Sequence, residues 1–378
     1  MKHATTAGPI QRAEESVQKW KENGGRVVGY TCSFLPSEVL SAANVLPSRL
    51  RGTGVSQADI GDTYFGPYIC SYPKCILQRA GSGQFSYLDG VIITPGCDSM
   101  RRLDECWRKA GEDFQGIVPD FFFHFGVPHK AADHSMAWFS SEIERLMRSL
   151  EEHFGVSIGE DDLRKAIARY NQGREMLARL NDFRKVSVNT LSGEEAYALS
   201  VAGTIMPRDE YNQYLGEYMD EVSSRKPGLY NGKTRFMLVG SVSDDLQLIS
   251  MAESLGGVVV AETLCFGQRH EGDLIGENED PVSAMVRHYL DESLCPRMMG
   301  GYQARLKSLK EKIEEMEIDG VIFQNIRFCD LHGSENAIFE RDLEAMGIPC
   351  VRIEREYGAL ADTGRLRMRL EAFMERMT

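Results

Sequence analysis

The chain has 378 residues, of which 42% are hydrophobic, and carries a formal net charge of −13. That length allows two or three domains with real cores. The acidic balance argues against a nucleic-acid surface and against docking on anionic lipid, and no apolar run approaches the roughly 20 residues that span a bilayer.

The first residues, MKHATTAGPIQRAEESVQKWKENGG, are polar and helical in pattern, without the apolar stretch and cleavage site of a secretory signal. The protein is therefore expected in the cytoplasm. Arg26–Thr31 (RVVGYT) reads as a buried parallel strand, followed by a helix over Ser37–Ala43. Leu88–Thr94 and Asp120–Phe125 are the next strands. From Ser135 to about Arg225 apolar residues recur at helical spacing, among them Trp138, Ile143, Leu146, Leu150 and Phe154. Strands then alternate with helices again: strands at Arg235–Gly240, Val258–Ala261, Gly320–Gln324 and Val351–Ile353; helices at Asp244–Leu255, Pro281–Leu290, Tyr302–Glu317, Glu335–Met346 and Leu366–Met377. Apolar strands separated by helices predict parallel sheets covered on both faces. The expected plan is an α/β domain with a leading helix over 1–134, a helical segment over 135–230 and a second α/β domain over 231–378.

Nine cysteines are too many for a reduced intracellular chain to carry without a reason, and an odd number cannot all pair. Four of them share a position. Cys32 follows RVVGYT, Cys97 follows VIITPG, Cys265 follows VVVAETL and Cys329 follows VIFQNIRF. Each stands at or just past the C-terminal end of a predicted strand, the edge where open α/β sheets bind ligands. Core cysteines should instead scatter through strand and helix interiors. Cys70 and Cys295 lie in connecting segments able to fold over the same crevice. No Cys-x-x-Cys occurs and no Cys/His spacing suits a zinc finger, whereas iron–sulfur clusters accept thiolates from distant segments.

With those positions in view, the sequence resembles the benzoyl-CoA reductase and 2-hydroxyacyl-CoA dehydratase family over nearly its whole length. The resemblance lies in Gly29–Ala42 (GYTCSFLPSEVLSA), Pro67–Cys70 (PYIC), Ile92–Arg101 (IITPGCDSMR), Met206–Tyr211 (MPRDEY) and Gly320–Asp330 (GVIFQNIRFCD). It implies two Rossmann- or flavodoxin-like parallel-sheet domains with helices between them and a cluster at the domain interface. It also implies that Cys70, Cys97 and Cys329 are ligands of a 4Fe-4S cluster. Three further contexts, Tyr30–Pro36 (YTCSFLP), Glu262–Phe266 (ETLCF) and Tyr289–Cys295 (YLDESLC), resemble the double-cubane branch of that family. There Cys32, Cys265 and Cys295 would supply a second set of ligands and the cofactor would be an 8Fe-9S cluster. Asp330 after Cys329 is the dehydratase pattern, so the match to the double-cubane branch is not uniform. The implied activity is ATP-dependent reduction of small molecules. The implied partner is a dimeric ATP-hydrolysing activator with its own 4Fe-4S cluster. The implied assembly is a homodimer, or a heterodimer with a related subunit in a CoA-thioester enzyme.

The activator, not this chain, would hold the nucleotide. Gly228–Thr234 (GLYNGKT) is one residue short of a phosphate loop and precedes a strand instead of following one, so it reads as a turn. Cys75, Cys106 and Cys350 fall outside the matched contexts and read as packed thiols. Glu38 is the candidate proton donor, set against the plainer role of an acid in a helix's first turn. Asp98 and Asp330 read as capping groups beside ligands. Arg269, His270 and His332 are further candidates for proton delivery, with surface loop residues the simpler reading. Lys307–Glu317 reads as a solvated helix face.

Overall fold

The computed structural model describes residues 8–267, 273–358 and 363–377. After a leading helix α1 (Gly8–Glu22) come β1 (Arg26–Tyr30), α2 (Ser37–Ala42), β2 (Val45–Arg49), α3 (Asp59–Tyr64) and α4 (Ser71–Gly81). Then follow β3 (Gly90–Ile93), α5 (Asp98–Asp113) and β4 (Phe121–His124). The helices α6 (Asp133–Phe154), α7 (Glu160–Asp182), α8 (Gly193–Gly203) and α9 (Arg208–Ser223) separate this part from the next. The second part runs β5 (Thr234–Gly240), α10 (Gln247–Ser254), β6 (Gly257–Thr263) and α11 (Pro281–Val286), which passes into a π-helical turn over Arg287–Asp291. It closes with α12 (Tyr302–Glu315), β7 (Gly320–Ile326), α13 (Asp330–Glu344), β8 (Cys350–Arg355) and α14 (Thr363–Glu375).

Among the described residues the strands form two four-stranded sheets, ordered β2-β1-β3-β4 and β6-β5-β7-β8, and every pairing is parallel. The two orders are the same plan: the first strand of each part lies second in line. The fold is thus α/β with two Rossmann- or flavodoxin-like sheets and helices between them in the chain. In such a sheet the connections leave in opposite directions from the ends of the two middle strands, and the crevice opens there. The crevices lie at β1/β3 and at β5/β7.

The inner strands are apolar runs because helices cover both faces; Val27, Val28, Ile92, Ile93, Val321 and Phe323 are at most 1% exposed. β2 escapes a reading of the sequence because it carries Pro47 in a short VLPSR run. As an edge strand it tolerates a residue with no amide to donate. The helices α4 and α5 escape it too: α5 (DSMRRLDECWRKAGED) is so charged that its buried stripe of Met100, Leu103, Trp107 and Ala110 is hard to see. α13 begins at Asp330, five residues before the expected Glu335.

The two sheets share cores. One apolar cluster joins Val27 and Leu46 to Phe236, Leu238 and Ile322 through α8 and α9, and another joins Val91 and Ile93 to Ile326 and Tyr357. A buried polar tie crosses between the sheets as well. Arg51 donates from Nε to Asp244 at 2.8 Å, the Tyr357 hydroxyl donates to Asp244, and the Gly52 amide donates to that hydroxyl at 3.0 Å. No helix among the described residues is long and apolar enough to cross a membrane. Gly228–Thr234 is a turn with Gly228 and Gly232 at positive φ, leading into β5.

Candidate metal centre between the two sheets

Cys32 lies just past β1, Cys97 past β3, Cys265 past β6 and Cys329 past β7, so both crevices contribute. Three of the six expected cysteines are helix N-caps: Cys70 for α4, Cys97 for α5 and Cys329 for α13. An N-cap side chain faces the unpaired amides of the first turn, and that end of the helix carries partial positive charge. Three such ends therefore point at one region. Phe328 takes a left-handed φ of 64° to turn the chain into Cys329, and its ring meets Tyr68 edge-on at 5.7 Å.

The thiols are close enough to resist one another's ionisation. Burial pushes Cys70 up to about 12, with Cys329 adding to it. Burial also holds Cys97 well above its ordinary value, helped by Cys70, Cys329 and Cys32. Cys329 is raised by burial and by Cys265. Cys32 is raised by burial and by Cys265, against the pull of Arg49. Each of these thiols thus acts on at least one of the others, and the set draws on both sheets. Cys295 joins through a cavity of about 390 Å³ whose lining includes Cys32, Cys265, Cys295, His288, Tyr289 and Asn336. Cys70, Cys97 and Cys329 sit instead in the apolar cluster around Ile93, Met100 and Ile326. Gly96, next to Cys97, lies against Cys32: a Cβ there would stand 2.7 Å from the Cys32 sulfur.

Nearby hydroxyls and amides offset part of that rise. The Ser99 hydroxyl faces the Cys70 thiol and the Ser241 hydroxyl faces Cys329. The backbone amides of Phe34, Tyr72, Met100 and His332 lie beside Cys32, Cys70, Cys97 and Cys329 and favour the thiolate, although at the three N-caps they fall short of a full capping bond. Buried, crowded thiols of this kind hold their protons until a metal group takes the proton's place. Among the described residues no three His, Cys, Asp or Glu side chains converge on a single ion position. A cubane needs no such convergence, because each thiolate binds a different iron. The residues present fit a cluster spread over several irons better than a one-ion site.

Of the remaining candidates for ligand or proton donor, only His332 among the described residues lines the cavity. Cys75, Cys106 and Cys350 donate to the carbonyls of Tyr357, Tyr64 and Ile348. Glu38 is fully buried in α2; it accepts from Arg174 Nη2 and from the Tyr289 hydroxyl, both at 2.7 Å. Burial raises its carboxyl, but Arg174 and Tyr289 more than offset this and hold it below the usual range. This geometry gives a locked anion, which joins the helix after Cys32 to α7 and to the π-helical turn before Cys295, and it gives no support to proton donation. Asp98 is the exposed first residue of α5 beside Arg101, and Asp330 is the exposed first residue of α13. His332 is buried and lines the cavity. Arg269 and His270 lie outside the described residues. Lys307–Glu317 keeps its exposed charges, Lys307 facing Glu311 on α12. Sequence reasoning missed Arg49, Arg174, Arg297 and His288, because each acts through partners far away in the chain. Burial and Arg174 push His288 down to about 3, so its imidazole is neutral in the cavity wall.

Cysteines gathered past the strand ends of two parallel sheets make this edge of an α/β protein the candidate site. Residues 32–377 match the model of the family described as 2-hydroxyglutaryl-CoA dehydratase, D-component. The chain belongs to this family of 2-hydroxyacyl-CoA dehydratase and benzoyl-CoA reductase components. It is 23% identical over 371 residues to the (R)-phenyllactyl-CoA dehydratase beta subunit of Clostridium sporogenes, covering 97% of this chain and 96% of that one. It is 26% identical over 326 residues to a benzoyl-CoA reductase subunit of Thauera aromatica, covering 83% and 82%. To the (R)-2-hydroxyglutaryl-CoA dehydratase beta subunit of Acidaminococcus fermentans it is 22% identical over 361 residues, covering 94% of each.

Proposed function

We propose that the chain is the substrate-reducing component of a two-component iron–sulfur system. Cys70, Cys97 and Cys329 hold one cubane and Cys32, Cys265 and Cys295 the other, together an 8Fe-9S double-cubane cluster. When bound, that group supplies low-potential electrons to a small molecule. The adjoining cavity holds the substrate, and the apolar clusters around Ile93 and Phe125 keep bulk water from the thiolates. The helices capped by Cys70, Cys97 and Cys329 and the hydroxyls of Ser99 and Ser241 stabilise the thiolates. Glu38 anchors α2 instead of donating a proton. In this reading residues 1–134 and 231–378 are the two domains and 135–230 the helical segment joining them. A dimeric activator with a 4Fe-4S cluster hydrolyses ATP and delivers the electrons. The chain works as a cytoplasmic homodimer, apart from nucleic acid and membrane.

The observation that carries this reading is the placing of cysteines past the strand ends of both sheets, with Cys32 and Cys265 lining one cavity together with Cys295. A second reading is favoured by the relatives, whose names are those of subunits acting on CoA thioesters. There Cys70, Cys97 and Cys329 hold a single 4Fe-4S cluster, and the chain pairs with a related subunit. Iron and acid-labile sulfide analysis of anaerobically purified protein separates the two: about eight irons per chain supports the first and about four the second.

A further inference from the structure

Buried arginines in this protein commonly face carboxylates: Arg174 pairs with Glu38, Arg184 with Glu262, Arg305 with Glu335 and Arg355 with Asp245. Arg235 instead spends its donors on the carbonyls of Met316, Glu317 and Arg184, away from the cysteines. Arg49 and Arg297 differ from both kinds. Arg49 ends β2 and is 3% exposed. Its Nη1 donates to the Ser33 hydroxyl at 3.0 Å and to the carbonyl of Cys265, and its guanidinium lies 3.9 Å from the centre of the Phe266 ring. Its Nε is buried without a hydrogen-bond partner. Arg297 is 4% exposed, donates from Nη2 to the Val127 carbonyl and also buries an unpartnered Nε. Among the described residues neither pairs with a carboxylate. The ionisable groups that act on Arg49 are Tyr72, Cys265, Tyr30 and Cys32. Those that act on Arg297 are Cys32, Cys295 and Cys97.

An arginine cannot escape burial by losing its proton, and an unbalanced buried charge is costly. Two such charges beside the same thiols call for an anion there. We infer that Arg49 and Arg297 are permanent countercharges to the thiolate-held centre, both acting on Cys32 and between them reaching Cys97, Cys265 and Cys295. The inference rests on the proposed cysteine-held cluster and on the bonds that seat Arg49 against Ser33, next in the chain to Cys32, and against Cys265. It gives each arginine opposite effects in two states. In the stripped protein the charge is unbalanced and lowers stability. In the loaded protein it balances the thiolates and, by favouring the more negative reduced form, raises the reduction potential. An arginine that merely packs well would stabilise both states.

Arg49→Met and Arg297→Met in the full chain test this, each measured loaded under anaerobic conditions and again after chelation of the iron. Each stripped variant is expected to melt above the stripped parent. Each loaded variant is expected to show a more negative midpoint potential than the loaded parent. Loss of iron uptake in a variant whose stripped form is the more stable supports the inference equally. An unchanged potential, or stripped variants no more stable than the stripped parent, overturns it. A parent that holds no iron defeats the proposed function itself, whereas an iron-loaded parent whose variants behave otherwise defeats the countercharge alone.

Discussion

Glu38→Gln removes one charge and almost no volume from the buried contact among α2, α7 and the π-helical turn. The size of its effect follows from the burial. The Glu38 and Arg174 side chains are 0% and 5% exposed, and both carboxylate oxygens take hydrogen bonds at 2.7 Å. An exposed pair would contribute about 0–1 kcal/mol. Breaking a buried one by removing a single partner costs about 3–5 kcal/mol, because the other charge stays behind. Denaturant unfolding of the variant should show a loss in that range, and Arg174→Met on top of it should recover a large part. The pH dependence has a defined sign. The folded carboxyl lies below its ordinary value, so its contribution is present above the unfolded value of about 4.3. It fades as pH falls through the lower folded value. The parent should lose stability over that acid window, and the variant should lack this part of the loss. Iron content should fall with stability, since the contact braces the segments bearing Cys32 and Cys295. A Glu38→Gln protein with parental stability and iron content but no turnover would refute the anchor and restore Glu38 as a proton donor.

Gly96→Ala should lower iron content sharply, because its Cβ would stand 2.7 Å from the Cys32 sulfur; parental iron in that variant would show that Cys32 moves freely. Cys329→Ala should reduce iron content and make the link between the two sheets more susceptible to limited proteolysis. Cys75→Ala, which loses core packing and a contact to the Tyr357 carbonyl at 3.8 Å, should keep the iron. Asp244→Asn should lower stability in denaturant unfolding, by less than the roughly 3–5 kcal/mol of a fully orphaned buried charge because Arg51 keeps Glu14 at 3.0 Å.

The alternation of strands and helices was legible because inner strands of a parallel sheet are unbroken apolar runs, and Val27–Tyr30, Val91–Ile93 and Val321–Phe323 are of that kind. The cysteines at strand ends were legible for the same reason, since locating the strand locates its end. The edge strand β2 was not, because Pro47 and Ser48 blur its pattern. The role of Cys70, Cys97 and Cys329 as helix N-caps was also hidden. α4 and α5 carry too many polar residues to stand out, and the start of α13 lies in a polar DLHGSEN stretch. The buried charges were hidden most fully. Glu38 and Arg174 are 136 residues apart, and Arg51 and Asp244 are 193 apart. Pairings that distant arise only once the two sheets share a core.

The most direct test of the proposed centre is the iron content of a protein in which Cys32, Cys265 and Cys295 are all changed to Ser, set beside the parent under anaerobic conditions. A double cubane predicts about eight irons per chain in the parent and about four in the variant, held by Cys70, Cys97 and Cys329. Equal iron in the two proteins would contradict it and leave a single cubane as the cofactor.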